Sequence, residues 1–273
     1  RLKTDGEYVW AEGTSLGGDD GIAVAYCLAI LDSDTTPHPP LEVVITTNEE
    51  TGMDGARAID LSGLKGRKLL NMDNEEEGVL LTSCAGGGRF HSYLPVNRIR
   101  RSGTSYEIEI TGLQGGHSGE MIIKGRGNAN VLMGRLFMEL RKKIDFSAVE
   151  LEGGVADNAI PGSAKAVIVL PEEVAQDQLM DAVKSSEADV RTELELKDPD
   201  VKFTCTATGK GTFDCLDETS MKRTAGLICS LPNGVQAMSA AIEGLVEASL
   251  NLGIMTLDKE LLTLGFSVRS SIE

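Results

Sequence analysis

The hydrophobic pattern of this chain changes character near residue 87, and that change limits the fold more than any single motif. Before it, apolar residues come in continuous runs: DDGIAVAYCLAILDS over 19–33, LEVVITT after the breaker DTTPHPP, and then KGRKLLNMD. A strand that is apolar on both faces must be covered on both, which predicts a parallel sheet between helices. The run 19–33, apolar nearly all round and rich in small Gly and Ala, predicts a buried helix. After residue 87, YEIEITGL alternates strictly, and AKAVIVL, VKFTCTATG and LLTLGFSVRSS read as further half-exposed strands. Helices are expected over 128–143, 172–196 and 219–231. The expected fold is therefore of the α/β class in two parts, residues 1–86 and an α+β layer over 87–273.

Charge narrows the function. The 26 Lys and Arg face 42 Asp and Glu, a net charge of −16 that would repel a phosphate backbone, so nucleic acid is excluded as a natural partner. The negative charge is denser in the first part, −10 over residues 1–86 against −6 over 87–273. No apolar stretch reaches the roughly 18 residues that a bilayer-spanning helix needs, so no membrane partner is expected. Five cysteines, Cys27, Cys84, Cys205, Cys215 and Cys229, are odd in number and scattered without a CxxC pair, which predicts reduced thiols and a cytoplasmic protein. The chain opens on Arg1 with no initiator Met and no basic-then-apolar leader, the expectation for an internal piece of a longer polypeptide.

Four acidic residues of the first part share a structural address. Asp19 lies in the Gly-rich turn SLGGDDG before the expected helix, Glu49 and Glu50 follow the expected strand LEVVITT, and Asp73 follows RKLLNM. Chemistry in an open parallel sheet gathers at the carboxyl ends of its strands. Carboxylates brought together there raise one another's pKa unless a cation compensates, and a divalent metal is the economical compensation. Adjacent Glu49 and Glu50 point in different directions, so one can bind a metal while the other faces its water, a ligand beside a general base. Taken singly, each of these residues is more often a helix cap or dipole partner. The run Glu75, Glu76, Glu77 is read in that way, as solvated or capping.

The motifs GTSLGGDDGI, TTNEETGMDGA, NMDNEEEG, SCAGG, GLQGGHSGE, GRGNAN, NAIPGSA, LPNGV, EASLNLG and VRSSIE, in this order and over essentially the whole chain, resemble the bacterial aminoacyl-histidine dipeptidases of the M20 di-zinc metallopeptidase family. The resemblance implies a partial zinc-peptidase-like catalytic domain over 1–86, with a mixed or parallel sheet and helices on both faces, and a lid or dimerisation domain over 87–273. It implies two zinc ions bridged by Asp19, with Glu50 a ligand of one and Asp73 of the other. Glu49 becomes the general base for attack of a zinc-bound hydroxide on a dipeptide. His117 in GGHSG, Asn158 in DNAIPG and Arg269 in SVRSS become substrate-binding or oxyanion-binding groups of the lid, which makes a homodimer. His117 also stands out because it sits beside glycine, whereas His38 in PHPP and His91 on a strand are read as structural.

One departure matters. Zinc sites of this type use two further His ligands, one in an HxD motif and one nearer the C terminus, and these 273 residues contain neither. Zinc held by carboxylates alone is a weak site, so the chain by itself is expected to hydrolyse little. A tripeptidase, an aminoacylase or deacylase on the same metal logic, and a non-catalytic dimerisation or binding module, are the competing readings.

Overall fold

The computed structural model describes residues 1–14, 16–49, 52–74 and 78–272. The chain divides into two compact units, Arg1–Ser83 and Cys84–Glu273.

The first unit holds a small hairpin of β1 (Leu2–Thr4) and β2 (Val9–Ala11), the helix α1 (Gly18–Asp32) and the short helix α2 (Asp54–Ala58). The run expected as a helix does form one, but not a buried one. Ala23 is the only buried residue among those described in this unit, and Ile22, Tyr26, Leu28 and Leu31 are each more than half exposed. The two runs expected as strands of a parallel sheet, LEVVITT and KGRKLLNMD, carry no ladder pairing among the described residues. A strand is fixed by its neighbour, and these runs have none among the described residues. Every paired strand that is described is antiparallel.

The second unit is built on β3 (Gly86–Pro95), β4 (Arg98–Thr111), β5 (Gly116–His117), α3 (Ser118–Met121), α4 (Ala129–Arg141), β6 (Ser147–Gly153), β7 (Ala159–Ile160) and β8 (Ala164–Leu170). It continues through α5 (Gln176–Glu193), β9 (Lys202–Leu216), α6 (Glu218–Ser230), β10 (Gly234–Met238), β11 (Val246–Leu257) and β12 (Leu261–Ser270). Eight strands form one sheet in the order β3-β12-β11-β6-β8-β4-β9, with β10 added against β11. The strict alternation expected over YEIEITGL appears in β4, where Tyr106, Ile108 and Ile110 are buried and Glu107 and Glu109 are not. Lys165 of β8 pairs with Glu107 at 2.7 Å on that wet face.

Three helices supply the other half of the core. Leu132, Met133, Leu136, Phe137 and Leu140 recur at helical spacing along α4 and are all buried. Leu179, Val183 and Val190 of α5 and Met221, Ala225 and Ile228 of α6 join them in one continuous cluster with the sheet residues. Full burial of each large apolar side chain contributes about 1.5–3 kcal/mol, so this unit has a core of its own. Arg135 clamps Glu193 through two hydrogen bonds of 3.1 and 2.8 Å and ties α4 to α5 outside the core.

Asn128 starts α4. Its side-chain oxygen accepts from the Asn130 and Val131 N–H groups, and its amide donates to Asn233, Asn251 and the Leu252 carbonyl. A cap and a buried network thus share one side chain, itself only 5% exposed. Asn128→Ala removes both roles and should cost about 2–3 kcal/mol, seen as a fall of roughly 5–10 °C in the melting temperature by calorimetry. A fall under about 1 °C would show that the network carries no stability.

Candidate active site

In the first unit the structure brings two of the expected carboxylates together. Asp19 and Asp20 open α1, and Asp20 behaves as an ordinary cap, accepting the Ala23 N–H at 3.2 Å. Asp19 instead meets Asp73. Partial withdrawal from water pushes the Asp73 carboxyl above the usual range, and the charges of Asp19 and Asp20 and a hydrogen bond with Asp19 act in the same direction. Glu49 sits in a turn closed by hydrogen bonds from the Gly52 N–H to the Glu49 carbonyl (3.1 Å) and from the Met53 N–H to the Asn48 carbonyl (2.8 Å), just before α2. Glu50 lies outside the described residues, as do Glu75, Glu76 and Glu77.

In the second unit His117, Asn158 and Arg269 converge from three separate elements. The His117 segment is held at both ends by Asp198, fully buried, whose two carboxylate oxygens accept the Gln114 and Gly127 N–H groups at 2.7 Å each. His117 pairs with Ala159 in the β5–β7 ladder, and the Ser118 N–H donates to the Asn158 carbonyl at 2.7 Å. Arg269, near the end of β12, brings its Nη2 to 3.4 Å from His117 Nε2. A guanidinium can only donate, so Nε2 is the acceptor in this contact. Arg269 Nε and the Ser118 hydroxyl are both buried with no hydrogen-bond partner among the described residues. Buried donors without partners are uncommon and call for an acceptor.

Sequence reasoning missed Ser118 and the close approach at Gly119. A Cβ on Gly119 would stand 2.9 Å from both Arg269 Cζ and His117 Cε1, so the glycine makes room for their contact. The other histidines fit structural roles. His38 Nδ1 lies 2.8 Å from the Pro39 carbonyl oxygen, and His91 stacks on Tyr93 with ring centroids 6.1 Å apart. All five cysteines are free, and burial pushes the Cys205 thiol up to about 11 and raises those of Cys215 and Cys229. Those three stay protonated at neutral pH and are poor nucleophiles.

Gly119→Ala should displace the ends of two side chains and no backbone. The expected result is a moved His117 imidazole signal in a nitrogen-detected NMR spectrum, with stability changed by less than about 1 kcal/mol. An unmoved His117 signal would contradict the packing described.

The described residues include no helix long and apolar enough to cross a membrane. Residues 99–197 match the peptidase dimerisation domain of the M20 family. The chain is 35% identical, over 98% of its length, to the cytosol non-specific dipeptidase of Escherichia coli strain K12, and covers 56% of that protein. Its fold matches the crystal structure of the aminoacylhistidine dipeptidase of Vibrio alginolyticus with a TM-score of 0.77 and 37% identity, over 100% of this chain and 56% of that one. The chain thus spans little more than half the length of either relative, and it resembles both in sequence and fold along its whole extent, with residues 99–197 matching the dimerisation domain of M20 peptidases.

Proposed function

We propose that this chain supplies metal-binding carboxylates and the substrate-recognition lid of a metal-dependent dipeptidase. In this reading residues 1–86 belong to the catalytic domain and 87–273 to the lid, through which two copies pair. The match of residues 99–197 to a dimerisation domain supports the pairing. The observation that carries the reading is the contact of Asp19 with Asp73. Two carboxyl groups in mutual contact repel once ionised, and a divalent cation relieves that repulsion.

The donor set fits hard or borderline divalent ions. Asp19, Glu50 and Asp73 would hold them, zinc by family resemblance. When bound, such ions supply an activated water and polarise the scissile carbonyl. Glu49, on the turn before α2, would take the proton from the attacking water and deliver it to the leaving amine nitrogen. Arg269 would pair with the substrate carboxylate or the developing oxyanion, with His117 against it and Asn158 alongside. The unpartnered Arg269 Nε and Ser118 hydroxyl support an anionic ligand at this place.

The substrate class is a dipeptide with a free amino end. The two relatives are named for non-specific and for aminoacylhistidine dipeptides, and a C-terminal His is the side chain to try first. The cytosol named for the first relative supports a cytoplasmic location.

These 273 residues hold three histidines, and none lies in an HxD motif. Carboxylates alone bind zinc weakly. Zinc-dependent hydrolysis of alanyl-histidine by the chain alone should therefore stay near background, and robust turnover would contradict this. In an enzyme with the full ligand set, Glu49→Gln should lower kcat by about 10²–10⁴-fold with KM little changed. An unchanged kcat would remove Glu49 from the reaction.

A further inference from the structure

Asn158 does not hold its own position. The segment around it is gripped from three directions, and one grip differs from the others in kind. On β11, the buried side chain of Asn251, 1% exposed, donates from Nδ2 to the Asp157 carbonyl at 2.9 Å and the Ala159 carbonyl at 2.8 Å. Two residues on, a Cβ at Gly253 would collide with the Ala156 and Asp157 carbonyls, so backbone lies directly on backbone there. The third grip is ionic. The Asp157 carboxylate, 14% exposed, meets Arg89 Nε of the outer strand β3 at 2.5 Å, and Arg89 is 53% exposed. The first two grips fix main-chain atoms of the segment. The ion pair acts on the side chain next to Asn158 and approaches from a different strand.

We propose that Arg89 is a positioning residue, which through Asp157 sets the Asn158 side chain and, through the β5–β7 ladder, the His117 imidazole. The geometry links the parts in series: Arg89 to Asp157, the Asn158 carbonyl to the Ser118 N–H, and Ala159 to its ladder partner His117. The proposal rests on Asn158 and His117 being the groups that meet a dipeptide. The exposure of Arg89 separates this role from plain stabilisation. An ion pair with one partner half in solvent adds little to global stability, whereas a small misplacement of a binding group is costly in affinity.

Exchange of the charges provides the test. Arg89→Asp, Asp157→Arg and the double exchange would be made in the 273-residue chain. Three quantities are then read: the melting temperature, the NMR signals of the Asn158 side-chain amide and the His117 imidazole, and binding of alanyl-histidine by titration. Each single change should move or broaden both signals and weaken dipeptide binding about tenfold, with the melting temperature within about 3 °C of the original. The double exchange should restore both signals and bring affinity back to within about twofold. Single variants with unmoved signals, or a double exchange that restores neither signals nor affinity, would overturn the proposal. If the original chain binds no alanyl-histidine, the reading of these groups as dipeptide contacts falls, and the two NMR signals still decide the brace.

Discussion

One buried amide ties the second unit together. Asn251 sits in a sheet strand, where a polar side chain with no water nearby must satisfy every donor and acceptor it has. It does so by donating to the Asp157 and Ala159 carbonyls and accepting from Asn128, the residue that starts α4. Sheet, helix and site-bearing loop therefore meet at one side chain. An apolar residue of the same size would fill the space and leave the two loop carbonyls to be satisfied elsewhere. The position of Asn158 thus depends on a residue that is neither near it in sequence nor able to touch a ligand.

The two units answer the same physical demand differently. Backbone groups and apolar side chains both need partners. The second unit finds them internally, in a continuous run of antiparallel ladders under three amphipathic helices. The first unit exposes Leu69, Leu70, Leu80 and Leu81 and leaves LEVVITT unpaired among the described residues. Its carboxylates nevertheless draw together at Asp19 and Asp73, against their mutual repulsion.

Much of the second unit was legible because its elements follow clean periods. The 2-residue alternation of YEIEITGL and the helical spacing over 128–143 each admit one reading. In the large sheet β6, β10 and β11 were not legible, nor were the two-residue strands β5 and β7, and β3 was read only at His91. In β3 the run GGGRFHSYLP lies at the sheet edge, almost entirely exposed, and offers little apolar signal. In β11 the register slips between Leu252 and Ile254, and Asn251 occupies a buried position where the pattern asks for an apolar residue. The shorter β6 and β10 are interrupted by bulges as well. In the first unit, helix and apolar runs were visible, but pairing and burial depend on neighbours that a periodicity cannot supply. As for the candidate site, Asp19, Asp73, His117, Asn158 and Arg269 could be proposed from their motifs. Ser118 and Arg89 could not, because their significance lies in an unmet hydrogen bond and in an ion pair between residues far apart in sequence.

The proposed function depends first on Asp19 and Asp73 offering a place to a divalent cation. A competition titration of zinc against a chromophoric chelator, on the chain and on its Asp19→Asn and Asp73→Asn variants, tests it directly. A weak zinc site is expected in the original chain, and either variant should remove it while the fold of the second unit is unchanged. Equal zinc affinity in all three proteins would contradict it.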